Sequence, residues 1–134
     1  MIEVNNISGA DSTIIFPDIN GIPAAFEFNN AKLSRDAGFY EHAYIKQLVI
    51  TNSHSAEITV TLSMFDTTED EQGVISENTY YVLKDLPITL ANTLVLDQYD
   101  LAVIDLQRFG LKIQLGDSAY SASLMYELDW SNIK

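Results

Sequence analysis

The chain has 134 residues, no cysteine and a formal net charge of -12, from 7 basic and 19 acidic side chains. This length fits one domain, and a hydrophobic share of 47% is ordinary for a globular protein. The charge argues against nucleic acid and anionic membranes as the main partners, because their phosphates would repel it.

The first 36 residues contain two short strand candidates, "STIIF" and "AAFEF", separated by a turn with proline and glycine. The next stretch, "NNAKLSRDAG", is predicted to be a short helical turn or a loop. No linker separates residues 1–36 from the rest, so we expect a single domain over residues 1–134 with an N-terminal arm or added edge strands. The arm is too short to bury its apolar side chains alone, so they must lie on the domain's own sheet or on a partner. The predicted partner interface consists of Ile14, Ile15, Phe16, Phe26 and Phe28.

From Tyr40 onward, apolar and polar residues alternate with the period of two that is typical of β-strands. The segments "AEITVTLSMF", "GLKIQL" and "AYSASLMYEL" show the pattern most clearly. "YIKQLVIT" and "NTLVLDQYDLAVIDL" are more continuously apolar, which predicts central or doubly covered strands. Turn signals fall at "TNSHS", "DTTEDEQG", "KDLP" and "LGDS".

This spacing predicts an all-β fold, an antiparallel β-sandwich or jelly roll, with at least seven strands and almost no helix. The inward positions of the alternating segments predict the core. We expect the following side chains to be buried together: Ile58, Val60, Leu62, Leu111, Ile113, Leu124 and Tyr126.

The acidic stretch "DTTEDEQG" is the strongest candidate for a metal site, but its spacing is wrong for a calcium loop. Its four carboxylates do not alternate and its glycine comes late, so we interpret it as a solvated hairpin connection, with a weak divalent-cation site as the alternative. Neither histidine, His42 or His54, has a metal-ligand partner at a suitable spacing. No nucleophile elbow and no phosphate-binding glycine loop is present. We therefore predict no catalytic residue, no cofactor and no metal, and a protein that is not an enzyme.

The order of segments in the second half carries a resemblance. A strand ending in Thr51–Asn52 is followed by a strand of alternating threonines and aliphatics. A Tyr80–Tyr81 strand, a Leu–Pro–Ile step, a Thr–Leu strand and two closing strands come next. Residues 40–128 thereby resemble small all-β virion structural proteins of tailed bacteriophages.

The resemblance implies a non-enzymatic structural subunit of a phage particle, assembled in the host cytoplasm, that forms homo-oligomers and binds other virion proteins. The first expectation is a capsid decoration or cement protein, and the alternative position is a neck, tail or fibre-attachment component. A carbohydrate-binding sandwich is the alternative from another class, and it would need exposed aromatic residues on a concave face. Trp130 and Tyr99 are the candidates for that role.

Overall fold

The alternating segments form ten β-strands in a computed structural model that describes residues 2–16, 25–28, 31–34, 44–104 and 109–129. No helix occurs in these ranges. The strands are β1 (Ile2–Ser8), β2 (Thr13–Phe16), β3 (Ala25–Phe28), β4 (Ala31–Ser34), β5 (Tyr44–Asn52), β6 (Ile58–Glu69), β7 (Ile75–Ile88), β8 (Thr93–Asp97), β9 (Gly110–Leu115) and β10 (Ser121–Asp129).

Eight of these strands form two antiparallel sheets of four strands each. The first sheet has the order β1-β10-β5-β8 and the second sheet has the order β2-β9-β6-β7, while β3 and β4 form a separate hairpin. Apart from the β6–β7 hairpin, each successive strand of the two sheets lies in the sheet opposite to its predecessor. Eight strands wound in this way form a jelly roll, so the predicted all-β sandwich is confirmed.

The core lies between the two sheets and is built from the residues that the alternation placed inward. All seven side chains predicted to be buried together belong to it. Leu48 and Ile50 of β5 add to the core from the centre of the first sheet, where neither side chain is accessible to solvent. Burying each such aliphatic side chain contributes about 1.5–3 kcal/mol, so this layer is the main source of stability.

Strand β7 packs both Leu83 and Leu86 against the core because bulges interrupt its alternation. Leu83 and Leu86 are three residues apart and would face opposite sides of an unbroken strand. The pairing of β7 with β6 shifts register on both sides of Leu62, which inserts extra residues into β7. Asp85 lies in one bulge with a left-handed φ of 51°, and its backbone N–H donates to Thr61 Oγ1 at 3.0 Å. Both leucines consequently pack against the core.

Three local predictions from the sequence are wrong. The predicted turn "KDLP" lies inside β7, where its turn-forming residues fall in and beside a β-bulge. In the continuously apolar segment after Ala91, the described part (residues 92–104) has one strand, Thr93–Asp97, and it lies at the edge of the first sheet. Part of the stretch predicted as a helical turn or loop is strand β4, Ala31–Ser34, paired with β3. In contrast, β5 lies between β10 and β8, so its predicted central position is confirmed.

Asn52, the last residue of β5, joins the two sheets at one end of the sandwich. Its side chain is buried, and its Nδ2 donates to the carbonyl oxygens of Ala56 at 2.8 Å and Ile88 at 2.9 Å. The carbonyl of Thr89 lies 3.2 Å from the same nitrogen, which has only two hydrogens to share. Its Oδ1 accepts from the backbone N–H of His54 at 2.8 Å. One amide therefore fixes the β5–β6 loop against the end of β7.

We expect Asn52→Ala to lower the free energy of unfolding by about 2–3 kcal/mol, because it leaves buried backbone groups without partners. Asn6→Ala is the matched control, since Asn6 is exposed on β1, and should change stability by less than about 0.5 kcal/mol. Urea denaturation followed by circular dichroism measures both. Equal effects of the two substitutions would contradict the role assigned to Asn52.

Gly116 is required where the β9–β10 turn passes close to β6. Its backbone N–H donates to the carbonyl of Thr59 at 3.0 Å. A Cβ at this position would overlap Thr59 Oγ1 and would lie 3.7 Å from the ring of Tyr120. The hydrogen bond holds the two backbones together, so the turn cannot move away without breaking it.

We expect Gly116→Ala to destabilise the fold by about 1–3 kcal/mol through this overlap. Combining it with Thr59→Ala removes the overlapping hydroxyl and should recover part of the loss. A double-mutant cycle measured by thermal unfolding checks the coupling. Strictly additive effects would show that the cost arises elsewhere than at Thr59.

Candidate interaction surfaces

The acidic stretch spans the end of the β6–β7 hairpin: residues 66–69 belong to β6, and residues 70–73 form the tip. Asp70 Oδ1 accepts hydrogen bonds from the backbone N–H groups of Gln72 and Val74, both at 2.9 Å. Asp70 and Val74 also pair through their backbones at 3.0 Å, and Gly73 takes a left-handed φ of 82°. An aspartate that accepts from the backbone two residues on is an ordinary turn-forming device. The position agrees with the interpretation as a solvated hairpin connection.

No group of three or more potential metal-binding side chains occurs in the ranges that the structure describes. Within the same ranges there is no helix long and apolar enough to cross a membrane. The ring of His54 lies 5.5 Å from the ring of Tyr120 in a tilted arrangement. His42 lies outside the described residues.

The β6–β7 hairpin projects beyond the rest of the second sheet. Strand β9 pairs with β6 only between Val60 and Phe65. Past Phe65, the two hairpin strands pair only with each other among the described strands, as far as Glu69 opposite Ile75. Asn78 Nδ2 donates to Asp66 Oδ1 across this ribbon at 2.9 Å. The hairpin is therefore a two-stranded projection on a four-stranded base.

Lys112 of β9 fixes the base of the projection. Its Nζ forms an ion pair with Glu77 and donates to Thr79 Oγ1 at 3.3 Å. The same ammonium lies 5.6 Å from the centre of the Phe65 ring. One partly buried cation thus contacts both hairpin strands where they leave the sheet, which restricts the direction in which the hairpin points.

The two N-terminal isoleucines of the predicted interface face opposite ways. Ile15 is buried in the core, and its carbonyl accepts from Tyr126 Oη at 3.4 Å. Ile14 is 59% exposed on the outer face of the second sheet, in register with Lys112. The backbones of Phe16, Phe26 and Phe28 lie in β2 and β3, but their side chains lie outside the described residues.

Exposed apolar residues of the hairpin share a face with Ile14. The cross-strand row that contains Ile14 continues through Lys112 and Ser63 to Tyr81. Tyr81 is 58% exposed and Ile75, further along the same face of β7, is 68% exposed. Ser63, between Ile14 and Tyr81 in this row, is buried. With Val74 at the tip, the exposed residues are together named the hairpin surface: Ile14, Val74, Ile75 and Tyr81. Sequence reasoning missed its hairpin part, because alternation shows which residues share a face but not whether another layer covers it.

Strand β7 also has a free side at the edge of the second sheet. Its single hydrogen-bonded neighbour among the described strands is β6. An edge of this kind offers backbone donors and acceptors to an added strand from another chain. The hairpin therefore combines exposed apolar side chains with unpaired strand backbone, which are two elements of protein recognition.

The turn after β8 holds Tyr99 in solvent. The backbone N–H groups of Asp100 and Tyr99 each donate to Asp97 Oδ1 at 2.9 Å. The bond from Asp100 contributes most to lowering the pKa of Asp97 below its ordinary value. Tyr99 is therefore well placed for contact, as the carbohydrate-binding alternative requires, while Trp130 lies outside the described residues. One exposed ring does not by itself form the concave aromatic face that this alternative predicts.

The fold and these surfaces define a small jelly-roll protein with a projecting hairpin. No family profile and no curated protein matches the chain. Among solved structures, the chain is weakly similar to one titled "Structure of infectious bursal disease virus Gx strain", with 11% identity and a TM-score of 0.28. The match covers 100% of this chain and 34% of that chain, so the chain spans about a third of its length. This similarity is too low to support an argument about function.

We expect Asp70→Ala to loosen the hairpin tip, at a cost of about 1 kcal/mol, because two backbone N–H groups lose their acceptor. Faster amide exchange at Gln72 and Val74 is the measurement. Glu71→Ala is the matched control and should leave both exchange rates unchanged. If calcium protects these amides in the wild type, the hairpin tip is a metal site and not only a solvated connection.

Proposed function

We propose that the chain is a non-enzymatic structural subunit of a tailed-bacteriophage virion that decorates the capsid and binds neighbouring virion proteins through the hairpin surface and the free edge of β7. The observation that carries the proposal is the projecting hairpin. The ribbon past Phe65 supplies none of the described core residues, yet it presents Ile75 to solvent, and Tyr81 is exposed on the same face at its base. Exposed apolar side chains on a projection are typical of a surface that binds another protein.

The fold and the sequence support this proposal from two sides. The jelly roll is an architecture of viral capsid domains, and also of lectins and cupins, so the fold agrees with a virion role without selecting it. The resemblance of residues 40–128 to small phage virion proteins favours the virion among these classes. The net charge of -12 keeps such a subunit away from packaged DNA, because like charges repel.

The position in the particle determines the number of copies. A decoration protein follows the symmetry of the capsid and is present in hundreds of copies, whereas a neck ring holds about a dozen. A neck, tail or fibre-attachment position is the alternative within the same proposal. Quantitative mass spectrometry of purified particles distinguishes the two positions, and absence of the chain from the particles overturns the proposal.

We expect Ile75→Glu to reduce incorporation into particles about ten-fold or more, because burial of this side chain in an interface is worth about 1.5–3 kcal/mol. The melting temperature should not change, since Ile75 lies outside the core. Ile14→Glu tests the other end of the same surface. Val103→Glu is the control, because Val103 is as exposed but lies in the turn after β8.

Incorporation of both isoleucine variants at the level of the wild-type chain would contradict the role of the hairpin surface. Equal loss with Val103→Glu would show that added negative charge alone prevents assembly. Incorporation should be counted relative to the wild-type chain in the same particle preparation, with folding of each variant checked by circular dichroism.

A further inference from the structure

The outer face of the first sheet carries a row of apolar side chains that crosses all four strands. Val4 of β1 pairs with Met125 of β10, Met125 with Val49 of β5, and Val49 with Val95 of β8. The two ends of the row are the most accessible, with Val4 62% and Val95 52% exposed. These four residues form the apolar row.

Uncharged polar side chains border the apolar row on one side. Asn6, Ser123, Thr51 and Thr93 follow each other across the same four strands. The hydroxyls of Thr51 and Thr93 lie 3.0 Å apart and are hydrogen-bonded. This border can both donate and accept hydrogen bonds without carrying charge.

The other border holds the few charges of this face. It runs through Glu127, Gln47 and Asp97. Lys46 Nζ lies 3.9 Å from Glu127 Oε2 and offsets that charge, and Asp97 is engaged by the backbone of its own turn. The charged residues of this border are thus two carboxylates and one ammonium, which is few for a chain with 19 acidic residues.

We propose that this face binds a second copy of the chain, with the apolar row of one copy packed against the apolar row of the other. Two copies that each carry a charge of -12 repel each other in most orientations. Contact through the outer face of the first sheet brings few like charges together. Depletion of charge around an apolar centre is also the composition found in the cores of protein interfaces.

Two-fold symmetry suits the pattern of the face. A two-fold axis along the apolar row places each apolar residue opposite its own equivalent, with the sheets about 10 Å apart. The same axis places Thr93 of one copy opposite Asp97 of the other, and Ser123 opposite Glu127, so hydroxyl donors meet carboxylate acceptors. An axis along the strands instead places Val95 opposite Val4 and also keeps apolar residues together.

The size of the face sets the strength of the association. Four strands at about 4.8 Å and three rows at about 6.8 Å give roughly 400 Å² per copy, which is below the roughly 800 Å² of a stable interface. We therefore expect a weak dimer that forms as the concentration rises. The inference deepens the proposed function, and the purpose of the dimer rests on that function. The formation of the dimer in solution does not.

Analytical ultracentrifugation of the full chain tests the proposal. The average mass of the wild type should rise towards that of a dimer with concentration, and it should rise further at high salt because salt screens the repulsion between acidic copies. Val95→Glu should weaken the dimer about ten-fold or more. Val74→Glu, at an equally exposed valine of the hairpin tip, should leave it unchanged.

Charge exchange identifies the residues that face each other. Val95→Glu and Val95→Lys should each remain monomeric, and an equimolar mixture should form a heterodimer if the axis follows the apolar row. If the axis follows the strands, the mixture of Val4→Glu with Val95→Lys should associate instead. Recovery with either pair supports the proposal. Circular dichroism confirms that each variant is folded, which is expected because both valines are exposed on edge strands.

A wild type that stays monomeric at high concentration and high salt overturns the proposal, as does a dimer that Val74→Glu disrupts and Val95→Glu does not. A monomeric wild type leaves the hairpin surface unaffected, because particle incorporation of Ile75→Glu is measured separately. A dimer disrupted by Val74→Glu would instead assign dimer contact to the hairpin surface. Conversely, a dimer in solution from a chain that particles do not contain would retain this inference and overturn the proposed function.

Discussion

The arrangement of the two sheets depends on the amide of Asn52. The strands alternate between sheets, so few backbone ladders connect the layers, and side chains must fix one layer against the other. The apolar core supplies most of the attraction but little direction, because dispersion and hydrophobic forces are not directional. Asn52 supplies the direction, since its hydrogen bonds reach from the end of β5 to the end of β7. A buried polar group that is fully hydrogen-bonded specifies one arrangement among many with similar burial.

The hairpin surface and the outer face of the first sheet differ in charge. The hairpin tip holds acidic residues and exposed apolar ones together, so it suits a partner that is both apolar and basic or neutral. The outer face of the first sheet carries few charges and suits a partner that is itself acidic. Under the proposed function and the proposed dimer, one small domain would contact a foreign protein and a copy of itself without competition, because the two surfaces belong to different sheets.

Much of the fold could be predicted from the sequence, because the period of two directly reports the inward face of a strand. The prediction from the sequence failed where a strand departs from that period. The bulge at Asp85 resets the alternation of β7, and a proline and an aspartate inside a strand looked like a turn. Neighbouring Ile14 and Ile15 illustrate the limit for the interaction surface. Their sequence context is the same, and only the register with β9 decides which one faces solvent. The apolar row likewise requires the pairing of four strands that are distant in sequence.

The ribbon beyond Phe65 contributes none of the described core side chains, and in the proposed function it is the part of the chain that binds a partner. Most substitutions along it should therefore cost the sandwich little stability. Such a segment can change its length and its contacts quickly during evolution, while the jelly roll beneath it is conserved by its packing. Related domains would then differ most at the hairpin, and a change of partner would require only a few substitutions there. The same independence makes the ribbon a suitable position for grafting foreign recognition sequences onto this scaffold.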